Sequence, residues 1–336
     1  MRYYYLGNTG LRVSEVCLGT MTFGRETDEK TAQDMIDYFL ETGGNFVDTS
    51  NNYGPVPGTS EKIVGHILKG KREKVVLSTK VGFPTGPGPN DVGLSRKFIM
   101  RALDESLMRL QTDYVDLYHV HCWDEGTPIE ETLSTLDILV RTGKVRYVGA
   151  SNFTAWQLTK AIERSKRYGW HGFVSLQAQY SLIVRDIERE LLPFCSAEGL
   201  GVMAWGPLGG GFLSGKYRRG EKPPKDTRLS QVENNEEEAW VRRATERNFR
   251  ILDVLGKISE SRKKSYSQVA LAWLRAQPGN IIPIIGARTM KHLKDNMSCI
   301  NWNLTQEEVK DLNEVSRIEE GYPYRFIREN YPRKRE

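Results

Sequence analysis

Residues 45–54 read N-F-V-D-T-S-N-N-Y-G. Phe46 and Val47 have the character of the end of a short buried strand, and Asp48 is the first polar residue off that end. Asn51, Asn52 and Gly54 then make a tight polar loop that presents Tyr53. A carboxylate at a strand end with a phenol on the following loop adds little to a core, where unpaired polar groups are costly. It does place two titratable groups at one mouth. Asp and Tyr beside a turn are common, so the pair takes its meaning from how the other strands end.

Working outward, short apolar runs alternate with segments of helical periodicity. Strands are expected at 16–18, 45–47, 75–78, 114–120, 145–150, 174–178, 201–205 and 281–284. Helical sequence fills 28–41, 61–68, 96–110, 129–141, 156–167, 185–197 and a long region 236–275, with 291–300 and 306–317 after the last strand. Ahead of these, 3–6 and 11–13, joined by G-N-T-G, make a small β-hairpin. Eight strands, each followed by helical sequence and without a composition break, predict an α/β fold: one (β/α)8 TIM barrel over 1–336 with an N-terminal β-hairpin. A doubly wound sheet would carry a Gly-rich dinucleotide turn after its first strand; Leu18-Gly19-Thr20-Met21 stands there instead. Residues 220–235 read as a loop or lid after the seventh strand. Residues 318–336 read as a C-terminal tail whose Tyr322, Tyr324, Phe326 and Tyr331 pack onto the barrel or onto a neighbouring subunit of a homo-oligomer.

The net charge of +5 comes from 48 basic and 43 acidic residues that are interspersed. That is a solvated surface and no nucleic-acid footprint, and the basic run 333–335 is a solvated tail. Cys17, Cys122, Cys195 and Cys299 lie far apart without a CxxC pair, as free thiols of a reducing compartment would. No apolar run is long enough for a membrane span and the N-terminus lacks an apolar leader core. A cytoplasmic protein without a membrane partner is expected.

In a barrel, chemistry gathers where the strands end. Those ends carry Asp48, Lys80, His121, Ser151-Asn152, Gln177 and Trp205. A lysine after V-V-L-S-T is most often a solvated strand end, and a lone histidine near an apolar strand is most often a packed core residue. Six such strand ends on one rim are hard to obtain by packing alone. Asp48, Tyr53, Lys80 and His121 suggest one device. A phenol has a pKa of about 10 and is a feeble acid at neutral pH, but an adjacent ammonium lowers that value. Lys80 can supply the charge, Asp48 can hold Lys80, and Tyr53 can act as general acid to a carbonyl oxygen that His121 orients with a second hydrogen bond. Such a set suits hydride reduction without a metal, and it calls for a nicotinamide on the rest of the rim.

Two other readings compete. His119 and His121, with Cys122 and Asp124, could begin a metal site, but a barrel hydrolase needs further ligands on later strands. Only His171 and His292 follow, and neither ends a strand. Residues 210–217 nearly spell a P-loop, yet Tyr217 stands where the magnesium-binding hydroxyl belongs. A glycine backbone cradle for a diphosphate is the better reading.

The motifs D-T-S-N-N-Y-G (48–54), S-T-K (78–80), D-L-Y-H-V-H (116–121) and V-G-A-S-N-F (148–153) stand in order along the chain. L-Q-A-Q-Y-S-L (176–182), G-P-L-G-G-G-F-L-S-G-K-Y (206–217) and I-P-I-I-G-A-R-T (282–289) with K-D-N (294–296) follow. With these motifs the chain resembles the aldo-keto reductase superfamily along essentially its whole length. The resemblance implies an NADP(H)-dependent carbonyl reductase or alcohol dehydrogenase with Tyr53 as acid/base, supported by Asp48 and Lys80, and His121 orienting a small carbonyl or alcohol substrate. It implies that Ser151, Asn152 and Gln177 hold the nicotinamide carboxamide while Trp205 stacks on the ring. Gly206, Leu208, Gly210 and Lys216 would line the pyrophosphate. Gly286, Arg288, His292, Asp295 and Asn296 would meet the adenosine end, with the Arg288 guanidinium suited to a 2′-phosphate. Phe23, Phe83 and Trp123, each just past a strand end, would line an aromatic substrate pocket covered by 220–235 and 321–331. The superfamily also includes potassium-channel beta subunits, which bind NADPH as partners of a membrane protein; the complete tetrad favours turnover.

Overall fold

The computed structural model describes residues 1–225, 227–231, 237 and 239–331. An antiparallel pair, β1 (Tyr3–Tyr5) and β2 (Arg12–Ser14), precedes the barrel. Eight parallel strands follow: β3 (Cys17–Gly19), β4 (Phe46–Asp48), β5 (Val76–Val81), β6 (Val115–Val120), β7 (Val145–Ser151), β8 (Phe173–Gln179), β9 (Gly201–Trp205) and β10 (Ile282–Ile285). Each pairs with the next, and β10 closes on β3. The first six barrel strands lead into α1 (Glu29–Glu41), α2 (Thr59–Leu68), α3 (Arg96–Leu110), α4 (Ile129–Arg141), α5 (Ala155–Tyr168) and α6 (Leu191–Glu198). Between β9 and β10 come α7 (Arg228–Gln231), α8 (Trp240–Arg243), α9 (Glu246–Arg262) and α10 (Tyr266–Arg275). Then α11 (Met290–Met297), α12 (Gln306–Val315) and α13 (Tyr324–Asn330) complete the described chain.

The barrel interior is stratified by the two-residue alternation of its strands. At the bottom, Cys17, Phe46, Val76, Leu117, Met203 and Ile282 meet Leu6 and Val13 of the hairpin in one apolar cluster. Two residues higher on the same faces stand Asp48, Ser78, His119 and the pocket of Gly149, and higher again Lys80 and His121. The hairpin therefore plugs one end and the polar layers face the other.

Where the helices depart from the periodicity, local chemistry explains it. The expected helix 185–197 breaks into a 3-10 turn, Asp186–Glu188, and α6. Pro193 lies in the first turn of α6, where its missing N–H breaks no helical bond. The region 236–275 is interrupted twice, because Thr245 and Ser265 cap new helices by accepting from Asn248 N and Gln268 N, and Lys263 between them turns left-handed at φ 52°. β5 is longer than expected, so Lys80 lies within a strand and points into the barrel. Asp48 likewise is the last residue of β4 and not the first beyond it.

Of the expected loop 220–235, residues 226 and 232–235 lie outside the described residues, as does the basic run 333–335. Thr227 and Leu229 are buried beside α7. Within one chain α13 buries none of its residues, and Tyr322, Phe326 and Tyr331 are not packed on the barrel. Tyr324 reaches back, its hydroxyl donating to Glu190, and Glu319 O accepts from Arg189. Among the described residues no helix is long and apolar enough to cross a membrane.

The helix after the Tyr53 loop is held unusually close. Glu61, fully buried on α2, accepts from Thr79 Oγ1 at 2.6 Å and from Arg109 Nε at 2.7 Å. Gly65 lies so near α3 that an added Cβ would stand 2.5 Å from Arg109 O and 2.6 Å from Leu110 Cα. Gly65→Ala should therefore lower the unfolding free energy by about 1–3 kcal/mol through overpacking, against the ~1 kcal/mol that alanine ordinarily adds to a helix. A urea melt of the variant at or above the wild-type midpoint would show that α2 and α3 can part freely.

Candidate active site

The Lys80 ammonium lies fully buried inside the barrel and has three donors. They reach Asp48 Oδ2 at 2.6 Å, Thr49 O at 2.7 Å and Tyr53 Oη at 3.2 Å. Burial alone pushes Lys80 down, but the Asp48 charge and then Tyr53 carry it above its ordinary value. Asp48 is satisfied in turn: Ser78 Oγ and Gln177 Nε2 both donate to its Oδ1 at 3.0 Å. A buried ion pair persists only when its remaining polar atoms are matched in this way.

The loop that carries Tyr53 is stitched down over β5. Thr49 N donates to Ser78 O at 2.9 Å, Tyr53 N to Ser50 O and Ser60 N to Tyr53 O, both at 3.2 Å. Tyr53 Oη can only accept from Lys80, so its own proton is directed elsewhere. Lys80 does pull the phenol's pKa down, as expected, but burial pushes it up by more. The hydroxyl end lies so deep that desolvation of a phenolate outweighs the Lys80 charge, and the pKa rises. At neutral pH the phenol carries its proton.

His121 follows β6 and is buried, its backbone N donating to Val81 O at 2.8 Å. Burial, then the Lys80 charge, then His119 hold it well below the ordinary histidine value, so the ring is neutral. Its Nδ1 lies 3.3 Å from Ser50 Oγ, and Ser50 donates to Asn52 Oδ1 at 2.6 Å. With the serine proton engaged there, His121 donates from Nδ1 and keeps Nε2 as an acceptor. Exchanging the Asn52 amide's oxygen and nitrogen reverses both bonds and puts the proton on Nε2. His119, two residues earlier, is inside the barrel with both ring nitrogens engaged, by Ser78 Oγ at 3.2 Å and Ser175 Oγ at 3.1 Å. Among the described residues no group of three His, Cys, Asp or Glu side chains is placed to hold a metal.

The remaining rim residues divide. Asn152, left-handed at φ 55°, donates both amide hydrogens, to His121 O at 2.9 Å and Ser151 Oγ at 3.1 Å. Its Oδ1 accepts from Trp205 Nε1 at 3.0 Å. It is a brace across the ends of β6, β7 and β9, with no donor left for a carboxamide. After β9, Gly206, Gly209, Gly210, Gly211 and Gly215 all have positive φ, and a 3-10 segment runs Gly209–Ser214 just beyond Leu208. Lys216 sits against Gly211, where an added Cβ would be 3.3 Å from its Nζ. Partial desolvation and the neighbouring Arg288 lower Lys216; desolvation and then Lys216 lower His292. Lys216 and Arg288 crowd one another, with the His292 imidazole beside them. Arg288 Nη2 lies 3.3 Å from Glu26 Oε1 on the loop after β3, a pairing that sequence reasoning missed. Asp295 accepts from Ser265 Oγ and Gln268 Nε2, both at 2.7 Å, and Asn296 donates to Gly286 O at 3.3 Å. The Asp295 carboxylate thus ties α11 to α10 instead of standing open on the rim.

Of the three aromatic pocket candidates, Phe83 is 37% exposed with its ring 4.3 Å from that of His121. Trp123 leans outward on Phe153 and Trp156. Phe23 is wholly buried in the core, so it cannot line a pocket as expected; its ring is enclosed beneath the β3 loop.

Because His119 and His121 stay neutral when folded, with His119 held down to about 3, the unfolded chain binds more protons at acid pH. Stability should rise with pH across the window from about 3 to 6.5 and be progressively lost on acidification through it. Melting temperatures of wild type and His119→Leu at about pH 7 and 4.5 test this, since the variant should lose less on acidification. Parallel losses would remove His119 from the account.

A family model described as the Aldo/keto reductase family matches residues 15–317. The uncharacterized oxidoreductase YrpG of Bacillus subtilis (strain 168) is 41% identical over 324 residues, covering 94% of this chain and 96% of its own. Norsolorinic acid reductase of Aspergillus flavus is 33% identical over 336 residues, 95% of this chain and 82% of its own. L-glyceraldehyde 3-phosphate reductase of Escherichia coli (strain K12) is 33% identical over 311 residues, 91% and 89% respectively. With these matches spanning a barrel whose mouth gathers a buried lysine, a carboxylate, a phenol and an imidazole, the chain belongs to the aldo/keto reductase family and is an oxidoreductase.

Proposed function

We propose that the protein reduces aldehydes or ketones to alcohols with NADPH, using Tyr53 as general acid. The observation that carries this reading is the Lys80–Tyr53 contact. A protonated phenol whose oxygen accepts from a buried ammonium is an acid with its leaving charge already provided for.

The rim suits a nicotinamide dinucleotide. The left-handed glycines after β9 carry no side chains to keep a diphosphate from the backbone there. The crowded Lys216 and Arg288, with His292 beside them, suit the additional phosphate of NADPH, whose charge would relieve the repulsion between the two cations. Ser151, Gln177 and Trp205 stand at the strand ends where the nicotinamide would lie. When bound, that ring supplies the hydride. The chain's own residues do the rest. Tyr53 delivers the proton to the carbonyl oxygen, Lys80 stabilises the phenolate that remains, and Asp48 keeps Lys80 charged and still. His121 orients the substrate oxygen by donating from Nε2–H in both directions: the carbonyl oxygen accepts it in reduction, and in oxidation the alcohol oxygen accepts it while the hydroxyl proton returns to Tyr53. The half-exposed Phe83 ring beside His121 favours a substrate with an apolar group next to its carbonyl.

Tyr53→Phe should lower carbonyl-dependent NADPH consumption by about 100-fold or more while the NADPH dissociation constant stays within about twofold. Retained turnover would take the acid role from Tyr53. Arg288→Ala should weaken NADPH by about 10-fold and leave NADH nearly unchanged, as read by quenching of tryptophan fluorescence. Equal losses for the two cofactors would detach Arg288 from the 2′-phosphate.

A further inference from the structure

We propose that His119 is a positioning residue of this site: locked with its proton on Nδ1, it holds the Ser78 hydroxyl onto Asp48 and so fixes the carboxylate that anchors Lys80. The inference rests on the roles given to Asp48, Lys80 and Tyr53 above. It starts from a proton count. The Asp48 carboxylate can only accept, and Ser78 has one proton. That proton goes to the charged oxygen, Asp48 Oδ1 at 3.0 Å, because a charge-assisted bond is the stronger of the two Ser78 can make. The 3.2 Å contact between Ser78 Oγ and His119 Nδ1 is then a hydrogen bond only if the imidazole donates. A neutral ring has one N–H, so Nε2 accepts, and the 3.1 Å contact with Ser175 is made by the serine proton. The chain runs one way: Ser175 to His119, His119 to Ser78, Ser78 to Asp48.

The surroundings enforce this direction. Ser78, His119 and Ser175 are all fully buried. Burial, then the Lys80 charge, keep a second proton off the ring. The barrel also makes room for the imidazole at one specific place. Gly149 on β7 is paired with His119 on one side and Ser175 on the other. A Cβ there would stand 2.5 Å from His119 Cδ2, 2.6 Å from its Nε2 and 2.6 Å from Ser175 Oγ. Only a glycine lets the ring lie across β7 to reach the serine on β8.

An aliphatic side chain would fill this layer without the desolvation cost of three buried polar groups. What the polar version adds is a fixed orientation for Asp48. Lys80 is held by Oδ2 while Oδ1 is held by Ser78 and Gln177. Without the imidazole donor, the Ser78 oxygen is left unmatched and its hydroxyl is free to turn from Asp48. A carboxylate so loosened lets Lys80, and with it the Tyr53 oxygen, drift from the reacting geometry. The chain is no proton route, because the imidazole resists a second proton and Ser175 lies in the closed interior.

Three measurements test it. In wild type, long-range 1H–15N NMR of the His119 ring should show Nδ1 protonated and Nε2 bare between about pH 5 and 8; a protonated Nε2 overturns the proposal without reference to any activity. His119→Leu, which removes the donor, should lower kcat about 10-fold with KM and the NADPH dissociation constant within about twofold. His119→Asn, whose amide NH2 can stand in for Nδ1–H, should recover kcat to within about threefold of wild type. A kcat for His119→Leu equal to wild type, or Leu and Asn variants equally impaired, would reduce His119 to packing. If His119→Leu fails to fold, Ser175→Ala carries the kinetic test: it frees Nε2 and should lower kcat about threefold at unchanged KM, no loss counting against the proposal. A wild type that reduces no carbonyl with NADPH would instead sink the proposed function, and with it any catalytic purpose for the chain, whatever the tautomer.

Discussion

Everything at the barrel mouth depends on one ammonium with no spare hydrogen. Lys80 is enclosed by protein, and each of its three N–H bonds ends on a different kind of acceptor: a carboxylate, a peptide carbonyl and a phenol. The carboxylate makes the charge tolerable, the carbonyl fixes the loop, and the phenol receives the field. Because no donor is free, Lys80 cannot turn toward one partner without abandoning another. The loop carrying Tyr53, the end of β4 and the middle of β5 therefore move as one piece, and the Glu61–Arg109 clamp on α2 secures that piece to the outer layer.

The electrostatics of the two halves of the rim are opposite in logic. Around Lys80 the charges are matched and buried, so they resist screening. Around Lys216 and Arg288 the charges are of one sign and less buried, and beside burial Arg288 lowers Lys216 and Lys216 lowers His292. The first arrangement keeps a geometry. The second invites an anion, with Glu26 already beside Arg288. Salt should weaken the second and leave the first almost untouched, since buried pairs are poorly screened.

The barrel was legible in the sequence because its strands are apolar runs and its helices amphipathic, and periodicity reports both. The strand limits were less so. The sequence pattern ends β5 at Ser78, yet the strand runs on to Val81, Lys80 faces inward and Thr79 meets Glu61 of α2. A polar residue on a barrel strand carries no mark of which layer it enters. The grouping of Asp48, Tyr53 and Lys80 could be inferred from strand ends, whereas the engagement of Asn152 and Asp295 as braces could not. Their types fit ligand contact and bracing equally, and only the neighbours decide. Phe23 misled for a related reason, since position just past a strand does not say whether a ring faces the mouth or the helices. The direction of the Tyr53 shift was beyond sequence as well: a nearby lysine is visible in the chain, the depth of the hydroxyl is not.

The hairpin plug gives the barrel the character of a blind well. Leu6 and Val13 close the floor with apolar side chains, so among the described residues the polar layer of Ser78, His119 and Ser175 faces Lys80 and Tyr53 on its upper side. Anything seated across the mouth covers that side of the layer. The hydrogen-bond pattern below would then be sealed in for as long as the mouth is covered. Exchangeable protons on the interior serines and imidazole should thus record how long the mouth stays occupied, a slow clock set by the floor of the barrel.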